Sequence, residues 1–318
     1  MGPTSDTVLA ARLHAHGEPV QVEPVELPEP GPDEVRVELE FGAVNPIDHY
    51  IAEGRVAPGG PLPRTLGGEA AGRADGRAVL VAGEGLGAVR DGTWSQSAVV
   101  PRAAVVPLPE GVETRAAAAV GIAGLTALNA VRDLARVIAE DRVLVLGASG
   151  GVGTMIISLA RAAGATVWGQ TGSAEKVDGI VAHGADRAIV AGPKELSEAV
   201  AELAPTVVFD PLGGRFLDPV VRSIEPRGRI VSLGVSAGAE VTFNLQNLYR
   251  KMVTLYGYGG MQLRREERRA GLETTLRALR DGELMITIDE VLPLAEVNAA
   301  FTRLSDRRVQ GKLLLDLR

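Results

Sequence analysis

"VLVLGASGGVGTMIISLARAAG" (Val143–Gly164) joins an apolar run, a glycine turn and an apolar-striped segment that stops at a glycine. Gly147, Gly150 and Gly153 stand three apart between the run and the stripe. That spacing predicts strand, turn and helix, with the backbone close to a pyrophosphate and the helix packed tightly on the strand. The helix start offers free N–H groups and the positive dipole end to phosphates. Met155, Ile156, Leu159 and Ala163 form the stripe, and Gly164 is placed to end the helix. A tight turn without ligand shares the glycines, but a second strand at the right distance favours a dinucleotide site.

Around this stretch, strands and helices alternate. "TVWGQ" (Thr166–Gln170), "PTVVFDPLGG" (Pro205–Gly214) and "GRIVSLGVSAG" (Gly228–Gly238) read as strands, and "SAEKVDGIVAHGA" (Ser173–Ala185) as a helix. Apolar strands spaced by helices predict a doubly wound parallel sheet. "REERRAGLETTLRALRDGEL" (Arg265–Leu284) is a charged amphipathic surface helix. The first third differs. "DEVRVELEFGAV" (Asp33–Val44) alternates like a half-buried strand, and "PLPRTLGGEAAGRADGRAVLVAGEG" (Pro61–Gly85) reads as short strands with glycine turns. The tail "GKLLLDLR" (Gly311–Arg318) is one last strand. The expected organisation is α/β: a β-rich domain from residues 1–120 and 262–318, and a Rossmann domain from 121–261.

The 318 residues are 46% hydrophobic and 23% charged, with net charge −7. An acidic balance disfavours nucleic acid and anionic membranes. The uncharged run Ala116–Val131 is shorter than the roughly 20 apolar residues of a membrane span and reads as a buried helix. The N-terminus lacks the apolar block of a signal peptide. With no cysteine there is no disulfide, thiol nucleophile or thiolate-bound zinc, which is compatible with a reducing cytoplasm.

The second strand bears on the cofactor. An NAD site usually ends it with an acid that binds the ribose hydroxyls. Here it ends in Gln170 and Thr171, so the obstacle to a 2′-phosphate is gone. Ser173 is placed to cap the next helix or donate to a phosphate, and Lys176 supplies positive charge. An ordinary cap and a solvated lysine, partly cancelled by Glu175, is the other reading. NADPH is the expected cofactor.

The chain resembles the zinc-independent branch of the medium-chain dehydrogenase/reductase superfamily, above all quinone oxidoreductases and enoyl reductases. The resemblance rests on "AVNPIDHYIAEG" (Ala43–Gly54), "LGGEAAG" (Leu66–Gly72), "AGLTAL" (Ala123–Leu128), "GASGGVG" (Gly147–Gly153), "FDPLGG" (Phe209–Gly214), "PRGRIVSLG" (Pro226–Gly234) and "QGKLLL" (Gln310–Leu315). It implies a GroES-like β domain, completed by the C-terminus, beside the Rossmann domain. It also implies a homodimer through the edge strand near "MVTLYGYG" (Met252–Gly259), and hydride transfer from NADPH to a small-molecule quinone or enone. An enoyl-thioester reductase and a cofactor-binding protein without turnover stay open beside this.

By the same resemblance, Gly147, Ser149, Gly150, Gly151, Val152 and Gly153 hold the pyrophosphate. Thr126 lies near the nicotinamide, and Leu233, Gly234 and Val235 offer backbone contacts to its amide. Thr171, Ser173, Lys176 and Arg307 lie toward the 2′-phosphate, with Arg308 competing for the last role. Tyr50 matches a cleft tyrosine and becomes a proton donor or substrate contact, unless Ile47, Tyr50 and Ile51 simply share an apolar helix face. Asn45 matches a cleft asparagine near the nicotinamide and also suits the cap of a helix starting at Pro46. Asp48 equally suits a first-turn acid on the helix dipole. Catalytic zinc needs about three protein ligands. Gly68 stands where zinc-dependent relatives carry a histidine, and His14, His16 and His183 read as surface residues, so no metal is expected. Ala191 stands where the family carries a tyrosine that helps hold the 2′-phosphate, a departure that counts against NADPH, and Val56 stands in place of a second cleft tyrosine. The link Gly72–Ala78 is unusually short, and Trp94 is expected to line or cover the cleft.

Overall fold

The computed structural model describes residues 7–318. Along the chain come β1 (Thr7–Leu13), β2 (Gln21–Glu26), β3 (Glu34–Val44), α1 (Pro46–Ala52), β4 (Arg64–Thr65), β5 (Glu69–Ala74), β6 (Arg77–Ala82), β7 (Ser97–Pro101) and β8 (Val105–Pro107). After α2 (Thr114–Leu128) follow β9 (Arg142–Val145), α3 (Gly151–Ala162), β10 (Thr166–Thr171), α4 (Val177–Ala182), β11 (Arg187–Val190), α5 (Leu196–Ala199) and β12 (Val207–Asp210). The rest is α6 (Leu217–Ser223), β13 (Arg229–Ser232), α7 (Leu245–Arg250), β14 (Thr254–Gly257), α8 (Arg265–Arg280), β15 (Ile288–Pro293), α9 (Val297–Ser305) and β16 (Lys312–Asp316). These form two compact units. One takes the chain up to Ala123, Leu263–Arg280 and Ile288–Arg318; the other takes Gly124–Gln262 and Asp281–Thr287.

The first unit is GroES-like and β-rich. Its larger sheet runs β15-β16-β3-β5-β6-β8, with β7 also on β3, and β2-β1-β4 make a smaller one. The alternation of β3 does what it predicts: Val35, Val37, Leu39 and Phe41 are buried while Glu38 is exposed. The C-terminal strand β16 lies antiparallel to β3, Leu313 opposite Val44, so the tail completes this unit. The short link between β5 and β6 is a tight hairpin turn, Asp75–Gly76, both at positive φ as a type I′ turn requires.

Trp94 neither lines nor covers a cleft. It is fully buried, donates from Nε1 to the Ala43 carbonyl at 3.2 Å, and packs its ring 5.7 Å from that of Phe301. A Cβ at Gly67 would come within 2.4 Å of the indole, so that glycine makes the room. The residues around it are far apart in sequence, which is why local pattern misplaced it.

The second unit holds a six-stranded sheet in the order β11-β10-β9-β12-β13-β14, every pair parallel. Val143 on β9 sits opposite Val167 and Val207, in the buried centre. This is the doubly wound Rossmann order, and it reverses between β9 and β12, where such sheets bind ligands. α3 starts at Gly151 and stops before Gly164, which has φ +86°. Its buried face is wider than the predicted stripe, taking in Ile157 and Ala160. The predicted helix after β10 is broken into a short 3₁₀ turn, Ala174–Lys176, and α4. α2 runs on as a π-helical turn, Asn129–Leu134. By length and composition the combined helix is long and apolar enough to cross a membrane, but 67% of its most apolar window is buried inside the protein.

Replacing Trp94 by Ala is expected to destabilise the β-rich unit by about 3–5 kcal/mol, the cost of deleting a buried indole. Urea unfolding followed by circular dichroism measures it; a change under about 1 kcal/mol means that the indole is not part of this core.

Candidate functional site

The glycine turn is held from three sides. Gly150 N–H donates to the Gly147 carbonyl at 3.0 Å, and Gly147 N–H donates to Gln170 Oε1 at 3.1 Å. A Cβ at Gly153 would stand 2.6 Å from the Gly147 oxygen and 2.9 Å from Ala148 Cα, so only glycine lets α3 approach this closely. Gly150 begins α3 without a capping side chain, and a Cβ there meets only the Gly147 oxygen, at 3.4 Å. The first-turn N–H groups of Gly151, Val152 and Gly153 have no intrahelical acceptors. Gly151 and Val152 are half-buried and Ser149 buried in the turn. An uncapped helix start that the chain leaves clear of side chains fits the phosphates of a dinucleotide.

Gln170 does not face a ligand. Its side chain is buried, and Nε2 donates to the Ala191 carbonyl at 2.7 Å while Oε1 holds the glycine turn. Thr171 is buried too, and Oγ1 accepts the Ser173 N–H at 3.3 Å. Ser173 sits half-buried before the 3₁₀ turn, but its hydroxyl makes no cap bond, which corrects the capping expectation. Lys176 ends that turn, half-buried. Leu233, Gly234 and Val235 follow β13; the Leu233 N–H is already committed to the Asp210 carbonyl at 3.0 Å. Thr126 lies half-buried on α2. Arg307 is exposed in the turn after α9 at φ +57°, and Arg308 pairs with Asp306 at 3.4 Å.

In the β-rich unit, α1 starts at Pro46 behind Asn45, as expected, and with Asp48 the Asn45 side chain forms a capping box there. Nδ2 donates to Glu69 Oε1 at 2.8 Å and Oδ1 accepts from Lys312 Nζ at 2.5 Å. Asp48 is the other half of that box, accepting the Asn45 N–H at 2.8 Å and the Gly68 N–H at 3.1 Å. Glu69 is wholly buried, and Oε2 accepts the Ile122 N–H at 2.5 Å. Asn45, Asp48, Glu69 and Lys312 thus form one buried polar cluster joining "NPIDHY", "LGGE", α2 and "QGK". Glu69 and Lys312 lie in those motifs but carry no role that the motifs by themselves assign. A lone acid and a lone lysine beside otherwise apolar strand residues, Glu69 in "GGEAAG" and Lys312 in "GKLLL", were the available signal. Burial pushes the Asp48 carboxyl up to about 7, with Glu69 adding to the shift and Lys312 and two backbone N–H groups opposing it.

Tyr50 lies half-buried on α1 with the Arg55 guanidinium 4.4 Å above its ring, and Ile51 beside it is buried. His14 is exposed beside Glu23. His183 is not a surface residue: Nδ1 meets the Gly179 carbonyl and Nε2 the Thr287 hydroxyl, both at 2.8 Å. His16 is half-buried against the Pro58 carbonyl. Among the described residues no three His, Asp or Glu side chains converge as metal ligands.

The chain is 31% identical to a quinone oxidoreductase of Pseudomonas aeruginosa, over 90% of this chain and 92% of that one. It belongs to the medium-chain dehydrogenase/reductase superfamily, in its quinone oxidoreductase branch. Quinone oxidoreductase 1 of Escherichia coli is 29% identical over 96% of this chain and 99% of that one. A crystal structure of an NAD-dependent alcohol dehydrogenase superposes with TM-score 0.88 at 28% identity, covering 98% of this chain and all of that one. The family model described as zinc-binding dehydrogenase matches residues 151–276, a segment whose one histidine is His183. As a member of this superfamily the chain is an NAD(P)H-dependent oxidoreductase.

Asp48 carries a testable consequence. Its folded pKa lies above the ordinary 3.8, so between about pH 4 and 7 the native state binds a proton that the unfolded state has lost. Stability from this group is therefore greatest at the acid end of that window and falls as pH rises to about 7. Asp48→Asn should flatten that slope relative to wild type. Urea midpoints at pH 5 and 7.5 measure it; identical slopes in both proteins would show that Asp48 is ionised throughout.

Proposed function

We propose that the chain reduces a quinone, or the activated C=C of an α,β-unsaturated carbonyl compound, with NADPH and without a metal ion. The observation that carries this reading is the near full-length similarity to quinone oxidoreductases. The side chains support it: Gly68 stands where zinc-dependent relatives carry histidine, and its N–H is held by Asp48. When bound, the nicotinamide supplies the hydride.

The chain's own residues bind and orient. The α3 start, Gly147 to Gly153 with Ser149, takes the pyrophosphate. Thr126 and the main chain of Leu233–Val235, less the committed Leu233 N–H, hold the nicotinamide end. Thr171, Ser173 and Lys176 lie toward the 2′-phosphate, with Arg307 as a further cation. Asn45 acts by position: its carboxamide locks the start of α1 to Glu69 and Lys312. That helix carries Tyr50, whose hydroxyl donates to the oxygen on which charge develops. NADPH is preferred because β10 ends without an acid and a lysine follows it.

A homodimer through β14 belongs to the same proposal. β14 is the sheet edge, and Leu245, Tyr249, Leu255 and Met261 around it are all more than 40% exposed. An apolar sheet edge is a ready template for pairing with a second copy.

Purified protein mixed with NADPH and a panel of quinones, enones and enoyl thioesters should consume NADPH on the first two classes. Activity on thioesters alone, or tight binding without turnover, overturns the assignment. Lys176→Ala should weaken NADPH about tenfold or more and NADH little, as loss of a charged contact does. Equal effects on both remove the 2′-phosphate role. Tyr50→Phe should lower kcat more than it raises KM; full activity removes Tyr50 from the chemistry. Leu255→Asp should convert dimer to monomer by light scattering, and an unchanged mass removes β14 as the interface.

A further inference from the structure

Asp210 ends β12, across the strand-order reversal from the glycine turn after β9. It is wholly buried. Oδ1 accepts the N–H groups of Leu212 and Gly213, both at 2.8 Å, and so folds the turn that follows the strand. Oδ2 is buried with no partner among the described residues. Burial raises the carboxyl pKa although two N–H groups oppose the shift.

The turn that Asp210 folds touches both halves of the proposed cofactor site. On one side, Leu212 and Pro211 lie where a Cβ on Gly147 would point, at 3.2 and 3.4 Å. On the other, the turn is laced to the loop after β13. Leu233 N–H donates to the Asp210 carbonyl at 3.0 Å, Ser236 N–H to Pro211 at 3.3 Å, and Ala237 N–H to Leu212 at 2.7 Å. Gly234 packs so closely that a Cβ would stand 2.6 Å from the Pro211 oxygen. An unpaired buried oxygen is costly, and an apolar residue at a strand end would avoid it. What the carboxylate adds is one acceptor that fixes two successive amides of this turn.

We propose that Asp210 is a positioning residue of the cofactor site: by folding the Pro211–Gly214 turn it sets the loop Leu233–Val235 in register with the glycine turn. This rests on the cofactor reading given above. Asp210 meets neither cofactor nor substrate; it fixes where the nicotinamide-end backbone stands relative to the pyrophosphate end. A misplacement of about 1 Å at a reacting centre is enough to cost about 100-fold in rate.

The test compares wild type, Asp210→Asn, Asp210→Ser and Asp210→Ala. NADPH and the fragment 2′,5′-ADP, which lacks the nicotinamide half, are titrated separately, and NADPH-dependent turnover is measured. Asp210→Ala is expected to weaken NADPH about tenfold and to lower kcat further, with 2′,5′-ADP affinity unchanged. Asp210→Asn, which keeps an oxygen for both amides, should restore NADPH affinity. Asp210→Ser, whose hydroxyl is shorter, should fall between them and serves if the Ala variant does not fold. Equal weakening of NADPH and 2′,5′-ADP in the Ala or Ser variant overturns the proposal, because a general scaffold role moves both. An unchanged NADPH affinity in Asp210→Ala or Asp210→Ser overturns it as well. Wild-type protein that binds neither nucleotide overturns the cofactor reading itself, and this inference with it.

Discussion

Helix α3 reaches the end of β9 because residue 153 has no side chain. With Gly153 a would-be Cβ only 2.6 Å from the Gly147 oxygen, any other residue pushes the helix off the strand. The position of the helix start follows from that contact, and so does the uncapped turn of N–H groups at the centre of the parallel sheet. The surrounding turns are adjusted to it. Gln170 clamps the glycine turn to β10, and the turn after β12 packs against Gly147. The nucleotide unit is therefore a set of backbone loops held at fixed separations, with side chains spent on holding them.

The β-rich unit solves a different problem with charge. Asp48, Glu69 and Lys312 are all buried, and taking such groups out of water costs several kcal/mol for each ion before mutual attraction repays it. One lysine faces two carboxyl groups, and burial drives the imbalance toward a proton held on Asp48. A cluster of this kind is weak evidence of stability. What it does fix is register: Glu69 alone ties β5 to Asn45 at the start of α1, to the main chain of α2 and to β16. Moving Tyr50 requires moving that helix start, where the Asn45 and Asp48 side chains already have buried partners.

The two units were unequally readable in the sequence. The Rossmann half announces itself through local signals: apolar strands, a glycine triplet and a helix stripe within about 20 residues. The β domain and its hairpin were also readable from alternation and glycine turns, and its completion by the C-terminus from a last strand that follows the α/β block. The side chains that depend on distant partners were not. Asn45 meets Lys312 across 267 positions of the chain, and Trp94 meets Ala43 across 51. His183 looked solvated because Thr287, its partner, lies 104 positions away. In each case the residue type was informative, but its destination was set by packing that periodicity does not encode.

A polar residue at the carboxyl end of a parallel strand has two destinations, outward to a ligand or back into its own turn. Asp210 takes the second, and Gln170 turns to the neighbouring turns instead, holding the Gly147 N–H and the Ala191 carbonyl. A neutral Gln170 therefore says only that no charge repels a phosphate there. It contributes no attraction of its own, since both ends of its amide are occupied. Ser173 and Lys176, which the proposal above assigns to the 2′-phosphate, lie beyond the strand, and Ser173 leaves its hydroxyl out of the helix cap. On that proposal, discrimination between the two nicotinamide cofactors rests on the short 3₁₀ turn that interrupts the predicted helix, not on the strand end where a sequence motif places it.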